Sequence, residues 1–144
     1  MIKQVTQTEL DALIYLANQI WINHSRDDLF KEYTDIIHRN DACIFLKYDQ
    51  DIAIGFAQCQ LRHDYVEGTK SSPVGYLEGI FIEEQYRHYG HATELLASCE
   101  HWAKEMGCQE FASDCELDNQ LSLDFHLNVG FNEVNRIICF KKTL

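Results

Sequence analysis

Apolar residues recur along this chain with two periods, and the switches between them mark out most of its elements. Ile2–Val5 is a short apolar run that predicts a first strand. Thr6-Gln7-Thr8-Glu9 has capping-box spacing, with an acid three residues after a threonine. Leu10, Leu13, Ile14, Ala17, Ile20 and Trp21 then repeat at helical spacing. Arg26–Arg39 predicts a second helix, with Leu29, Tyr33, Ile36 and Ile37 on one face and Asn40-Asp41 at its end.

The pattern then changes to that of strands. Ala42–Tyr48 and Ile52–Tyr65 flank the turn Asp49-Gln50-Asp51, a hairpin signal. The polar loop Glu67–Pro73 leads to a third strand in this group, Gly75–Ile82, ending in the apolar run Ile80-Phe81-Ile82. After Glu83–His91 a helical stripe returns: Ala92, Leu95, Leu96, Cys99, Trp102, Ala103 and Met106, stopped by Gly107. Glu110–Asp114 predicts a short strand, Leu121–Val129 a short helix and Asn132–Lys141 a last strand. The order β-α-α-β-β-β-α-β-α-β defines a mixed α/β fold. No repeat, low-complexity stretch or linker divides residues 1–144, so the expectation is a single domain.

Composition narrows the function classes. Apolar residues make up 46% of the chain, enough for a hydrophobic core. No apolar run approaches the ~20 residues that span a bilayer, and no secretory leader pattern opens the chain. The expectation is therefore a cytoplasmic protein with no membrane partner. The net charge of −11 argues against nucleic acid as a partner. It is compatible with a cationic substrate, but on charge alone plain solubility is the favoured reading. The six cysteines form no C-x-x-C pair and the histidines have no metal-ligand spacing, so neither a disulfide framework nor a metal site is expected.

The candidate chemistry lies where the third strand of the group meets the long helix. Arg87-His88-Tyr89-Gly90-His91-Ala92 would expose several unpaired backbone N–H groups at a helix N-terminus. Such donors suit a diphosphate, and Gly90 would let its oxygens approach closely. On its own the hexapeptide fits an ordinary strand-to-helix turn equally well; the elements on either side favour the phosphate reading. Glu78 and Asp114 fall near the C-terminal parts of two predicted strands, where open α/β sheets commonly build sites. The alternative for both is a solvated charge at a strand end. Trp21 continues an apolar stripe and fits a core position as well as a site.

These residues carry a family resemblance. Arg87–Ala92 resembles the R/Q-x-x-G-x-G/A motif of the GNAT superfamily of N-acetyltransferases. Four segments are similar to aminoglycoside 6′-N-acetyltransferases in particular: Leu61–Gly68, Ser71–Phe81, Phe111–Asp114 through Asn119, and His126–Phe131. The resemblance covers essentially the whole chain. It implies a GNAT fold, a mixed central sheet flanked by helices. It also implies acetyl transfer from acetyl-CoA to the 6′-amine of an aminoglycoside by direct attack in a ternary complex, and hence drug resistance. Another amine, such as a polyamine or a protein N-terminus, remains an alternative acceptor. A non-catalytic domain that binds acetyl-CoA is a second alternative.

Residue by residue, the resemblance implies that the backbone of Ile80, Phe81 and Ile82 pairs with the pantetheine arm. Arg87, His88, Tyr89, Gly90, His91, Ala92 and Thr93 would hold the pyrophosphate, and Asn119 would contact the cofactor. Glu78 and Asp114 would be the catalytic acids, binding the acceptor and orienting its amine, with Trp21 and Tyr65 lining that site. His126 stands where many relatives carry a tyrosine that protonates the leaving thiolate. A histidine suits that task or a packing role, with the balance toward packing. Cys115 follows Asp114, and alternation would turn it away from the site. Asn135 stands where some close relatives carry an acid. Such relatives are commonly dimers, so a homodimer is implied, with Asn132–Lys141 at its interface.

Overall fold

The computed structural model describes all 144 residues, Met1–Leu144. Its centre is a five-stranded sheet in the order β1-β2-β3-β4-β5. These are Ile2–Gln4 (β1), Ala42–Asp49 (β2), Ile52–Arg62 (β3), Val74–Ile82 (β4) and Phe111–Ser113 (β5). The first four pair antiparallel in sequence order, while β5 joins β4 in parallel.

The entry to the first helix follows from the Thr6–Glu9 pattern. The Glu9 carboxylate accepts hydrogen bonds from the Thr6 N–H (2.8 Å) and the Thr6 hydroxyl (2.6 Å), closing a 3₁₀ turn over Gln7–Glu9. Those bonds hold the Glu9 carboxyl down at about 2, well below the usual carboxylate range. Helix α1 (Leu10–Ala17) buries Leu10, Leu13, Ile14, Leu16 and Ala17. Helix α2 (Arg26–Ile37) begins at Ser25, whose Oγ accepts from the Asp28 N–H at 3.0 Å. Both helices cover one face of the sheet, where Ala42, Ile44, Leu46 and Phe56 meet Leu13, Leu29 and Tyr33.

Helix α3 (His91–Glu105) covers the other face and packs Leu95, Leu96 and Cys99 against Cys43, Ala57, Cys59 and Leu77. It approaches β4 closely: a Cβ on Gly75 would lie 2.7 Å from the Ala103 Cβ, so only glycine fits there. The crossover β4–α3–β5 places β5 parallel to β4. A last helix, α4 (Gln120–Asn128), follows β5.

Several boundaries differ from the pattern-based expectation. Helix α1 ends at Ala17, leaving Ile20 exposed and Trp21 in the following turn. β3 stops at Arg62, before Tyr65. The larger difference is at the C-terminus, where Asn132–Lys141 forms no strand. Ile137, Ile138 and Phe140 are 70%, 79% and 90% exposed. Apolar, β-prone residues give a segment that can pair, but no free strand edge of this chain pairs with it. Its start is tethered: Asn135 Nδ2 donates to Glu67 Oε1 at 2.9 Å.

Candidate functional site

The site grows from an irregularity in β4. Gln58 pairs with Gly79 and Cys59 with Leu77, so Glu78 is an extra residue with no partner on β3. This β-bulge inverts the side-chain alternation. Before it, Gly75 and Leu77 face α3 while Val74 and Tyr76 face away. After it, Ile80 and Ile82 face α3 while Phe81 packs with the α1–α2 face. Tyr76 and Glu78 thus share the face opposite α3, joined there by Arg62, which pairs with Val74, and by Asp114 just past Ala112.

These four side chains form one connected group. Arg62 grips Glu78 in a fork: Nε donates to Oε1 at 3.2 Å, and Nη2 donates to Oε1 and Oε2 at 3.0 and 3.1 Å. The Arg62 guanidinium also lies 3.4 Å above the centre of the Tyr76 ring. The Tyr76 hydroxyl donates to Asp114 Oδ2. Burial, together with the Asp114 carboxylate, pushes the Tyr76 phenol above its ordinary value, so it stays a donor. Pattern reasoning singled out Glu78 and Asp114 but not Arg62 or Tyr76. Alternation within β4 could have found Tyr76, two residues before Glu78. Arg62 requires the β3–β4 register.

Trp21 borders this group on the helical side. It packs on Tyr33 and Phe56 with ring centres 6.4 and 6.2 Å away, and its Cη2 faces Gly79. It is therefore both a core aromatic and a neighbour of the site. Tyr65 is 77% exposed in the loop after β3.

The loop before α3 lies at the other end of β4. Gly90 has φ +86° and His88 φ +70°, both left-handed. The backbone N–H groups of His88 through Thr93 have no acceptor in the chain, and the first intrachain bond of the helix runs from the Glu94 N–H to the Gly90 carbonyl. Six consecutive free amides at the start of a fifteen-residue helix offer donors that an anion of diphosphate size could accept from. His91 Nδ1 is buried beside them with no partner. The Arg87 side chain is not aimed outward: its Nε donates to the Ile82 carbonyl at 2.8 Å, tying the loop to the strand end. Ala92 packs inward against the α3 core, and Thr93 is exposed.

Between loop and acids, β4 has an open edge. β5 pairs only with Gly75–Leu77, so the Ile80-Phe81-Ile82 backbone has no strand on that side. Asn119 caps α4, its Oδ1 accepting from the Ser122 N–H at 3.1 Å. His126 has both ring nitrogens engaged: Nδ1 donates to the Ser122 carbonyl at 2.6 Å, which leaves Nε2 to accept from the Ser113 hydroxyl at 2.7 Å. Flanked by Phe125 and Phe131, it is a packed and satisfied histidine. Cys115 lies beyond the end of β5 and is exposed, so strand alternation does not set its direction.

A parallel pair of three residues, an amide loop opening a helix and a bulged strand between them match the architecture of one acetyltransferase family. The model of the acetyltransferase (GNAT) family matches residues 10–131, and the chain belongs to that family. It is similar to aminoglycoside N(6′)-acetyltransferase type 1 of Salmonella typhimurium, with 38% identity over 98% of this chain and 97% of that protein. The enzyme of the same name from Acinetobacter baumannii is 38% identical over 99% of this chain and 98% of its own. Among solved structures, AAC(6′)-Iy in complex with the bisubstrate analogue CoA-S-monomethyl-acetylneamine superposes with a TM-score of 0.96. It is 36% identical, over 100% of this chain and 98% of that one.

Proposed function

We propose that this protein transfers the acetyl group of acetyl-CoA to the 6′-amine of an aminoglycoside, with both substrates bound together, and so confers resistance to such drugs. The observation that carries the reading is the placement of the open β4 edge at Ile80–Ile82, between the free amides of His88–Thr93 and the acids Glu78 and Asp114. The amides and the α3 dipole hold the pyrophosphate. The strand edge pairs with the pantetheine amides, and Asn119 borders the same ligand. A backbone N–H of the edge also stabilises the oxyanion that forms on the acetyl carbonyl.

The acceptor binds on the opposite side of the bulge, between Trp21, Tyr65, Glu78 and Asp114. A neutral amine attacks the thioester carbonyl: the C–N bond forms, the C–S bond breaks and the thiolate leaves. The proton lost by the amine passes to Glu78 directly or through water, and the thiolate takes one from solvent. Holding the two substrates in line supplies most of the rate. The net charge of −11 favours a polycationic acceptor.

The same reading treats the 144 residues as one domain, working in the cytoplasm as a homodimer. Support for the dimer is the exposed arm Val134–Phe140 and a groove beside β5 that mixes Phe111, Val129 and Phe131 with polar residues such as Lys104 and Glu110. An arm from a second copy could pair with the β5 edge, which the chain's own arm leaves unpaired.

Mass spectrometry of kanamycin and amikacin after incubation with acetyl-CoA tests the activity, with fragmentation to locate the acetyl group. The expected product carries one acetyl at the 6′-nitrogen. Acetylation of spermidine without acetylation of kanamycin overturns the reading.

A further inference from the structure

The two acids of the acceptor site are held by unlike partners. Glu78 is paired with a cation, so its charge is offset where it stands. Asp114 is held by a neutral phenol, with no cation paired to it. The Tyr76 ring joins the two arrangements, since Arg62 rests on its face while its hydroxyl reaches Asp114. Tyr76 is 6% exposed and cannot swing away without opening the small cluster it forms with Val66 and Val74.

We propose that Tyr76 and Arg62 are a pair of positioning residues that divide the acceptor site by charge, Asp114 taking a protonated amine and Glu78 receiving the reacting amine in its neutral form. The inference rests on the aminoglycoside reading above and deepens it. A carboxylate accepts at about four lone-pair positions, so Arg62's fork leaves Glu78 room for one more donor. The adjacent guanidinium disfavours an ammonium there, because like charges repel within a few ångströms. At Asp114 no such cation intervenes, and a second ammonium of the same polyamine sugar is bound in full charge. The substrate is thereby oriented with a nucleophilic amine at one end and an anchoring cation at the other.

Steady-state kinetics of two variants with kanamycin test this. Tyr76→Phe removes only the hydroxyl and keeps the ring beneath Arg62. The acceptor KM should rise about tenfold, the scale of one hydrogen bond to a charged group, with kcat and the acetyl-CoA KM nearly unchanged. Added to Asp114→Asn, the same change should have no further effect, because the bond it removes has already lost its charged acceptor. An unchanged acceptor KM, or fully additive losses, overturns the Tyr76 role.

Arg62→Gln should shift the rise of kcat with pH to higher pH, since an uncompensated Glu78 stabilises the ammonium form of the bound amine. Arg62→Lys, which keeps the charge, should restore much of the wild-type profile and serves as the control for folding. Superimposable profiles for Arg62→Gln and wild type overturn the Arg62 role. If the wild-type protein acetylates no aminoglycoside, the functional reading fails instead. Active wild type with unmoved variants refutes this inference alone.

Discussion

The six-membered ring of Trp21 faces the bare backbone of Gly79. A Cβ built there would lie 3.7 Å from Trp21 Cη2, an ordinary contact, with nothing else within 4 Å except its chain neighbours. Gly79→Val should therefore fold and fill the space beside Glu78. Its expected effect is a severalfold rise in the aminoglycoside KM with the acetyl-CoA KM unchanged, read by steady-state kinetics. Trp21→Ala should differ, because Trp21 also packs on Tyr33 and Phe56. It should cost about 2–4 kcal/mol in a urea melt as well as weakening the acceptor.

Glu78→Gln keeps the shape of the side chain and removes its charge. Loss of the proton acceptor should lower aminoglycoside kcat/KM by roughly 100-fold. Binding of acetyl-CoA, followed by calorimetry, should be nearly intact. Equal losses for both substrates would show that Glu78 belongs to the cofactor side instead.

Gly90→Val should act in the reverse order. No atom lies within 4 Å of a Cβ at Gly90, so packing does not oppose the change; the left-handed φ of +86° does. Holding a branched residue there costs about 1–2 kcal/mol, and relaxing it turns the amides of His88–Thr93 away from a common point. The acetyl-CoA KM should rise well before the aminoglycoside KM does.

Removing residues 132–144 tests the exposed arm. Sedimentation of the full chain should give a dimer, and the shortened chain should sediment as a monomer. A monomeric full-length protein would remove the basis for a homodimer.

Glu9 makes part of the stability depend on pH. Its carboxyl titrates at about 2 in the folded chain against 4.5 for a free side chain, so the folded state prefers the ionised form. That stabilisation is complete above the unfolded value and disappears as pH falls from about 4.5 to about 2. Glu9→Gln should lower Tm at pH 7, with about 1.5–3 kcal/mol lost along with the charged bonds to Thr6. The gap between variant and wild type should close on acidification through that window.

Much of the scaffold was legible in the sequence because each element announces itself locally. The stripe from Ala92 to Ala103 becomes α3, and Thr6–Glu9 becomes a capped turn. The turn from β4 into α3 was legible for the same reason, since strand, glycine and helix are contiguous. The link between Arg62 and Glu78 was not, because it depends on a register shifted by one residue at the bulge. Arg87 shows a related limit: its position in the loop was right, but its guanidinium bonds the Ile82 carbonyl. At Asn132–Lys141 propensity predicted a strand and none forms, because propensity does not name a partner.

The bulge at Glu78 also governs how this site can change over generations. With an extra residue in the strand, everything after Gly79 keeps its face only while that residue is retained. Deleting one residue there would turn Ile80 and Ile82 out of the core and Phe81 into α3. Substitutions at Tyr76, Glu78 or Gly79 carry no such penalty, since each projects from a frame the neighbours maintain. New acceptor preferences should therefore arise in this lineage by exchanging side chains at fixed length, and natural variants should be free of insertions and deletions between Val74 and Ile82.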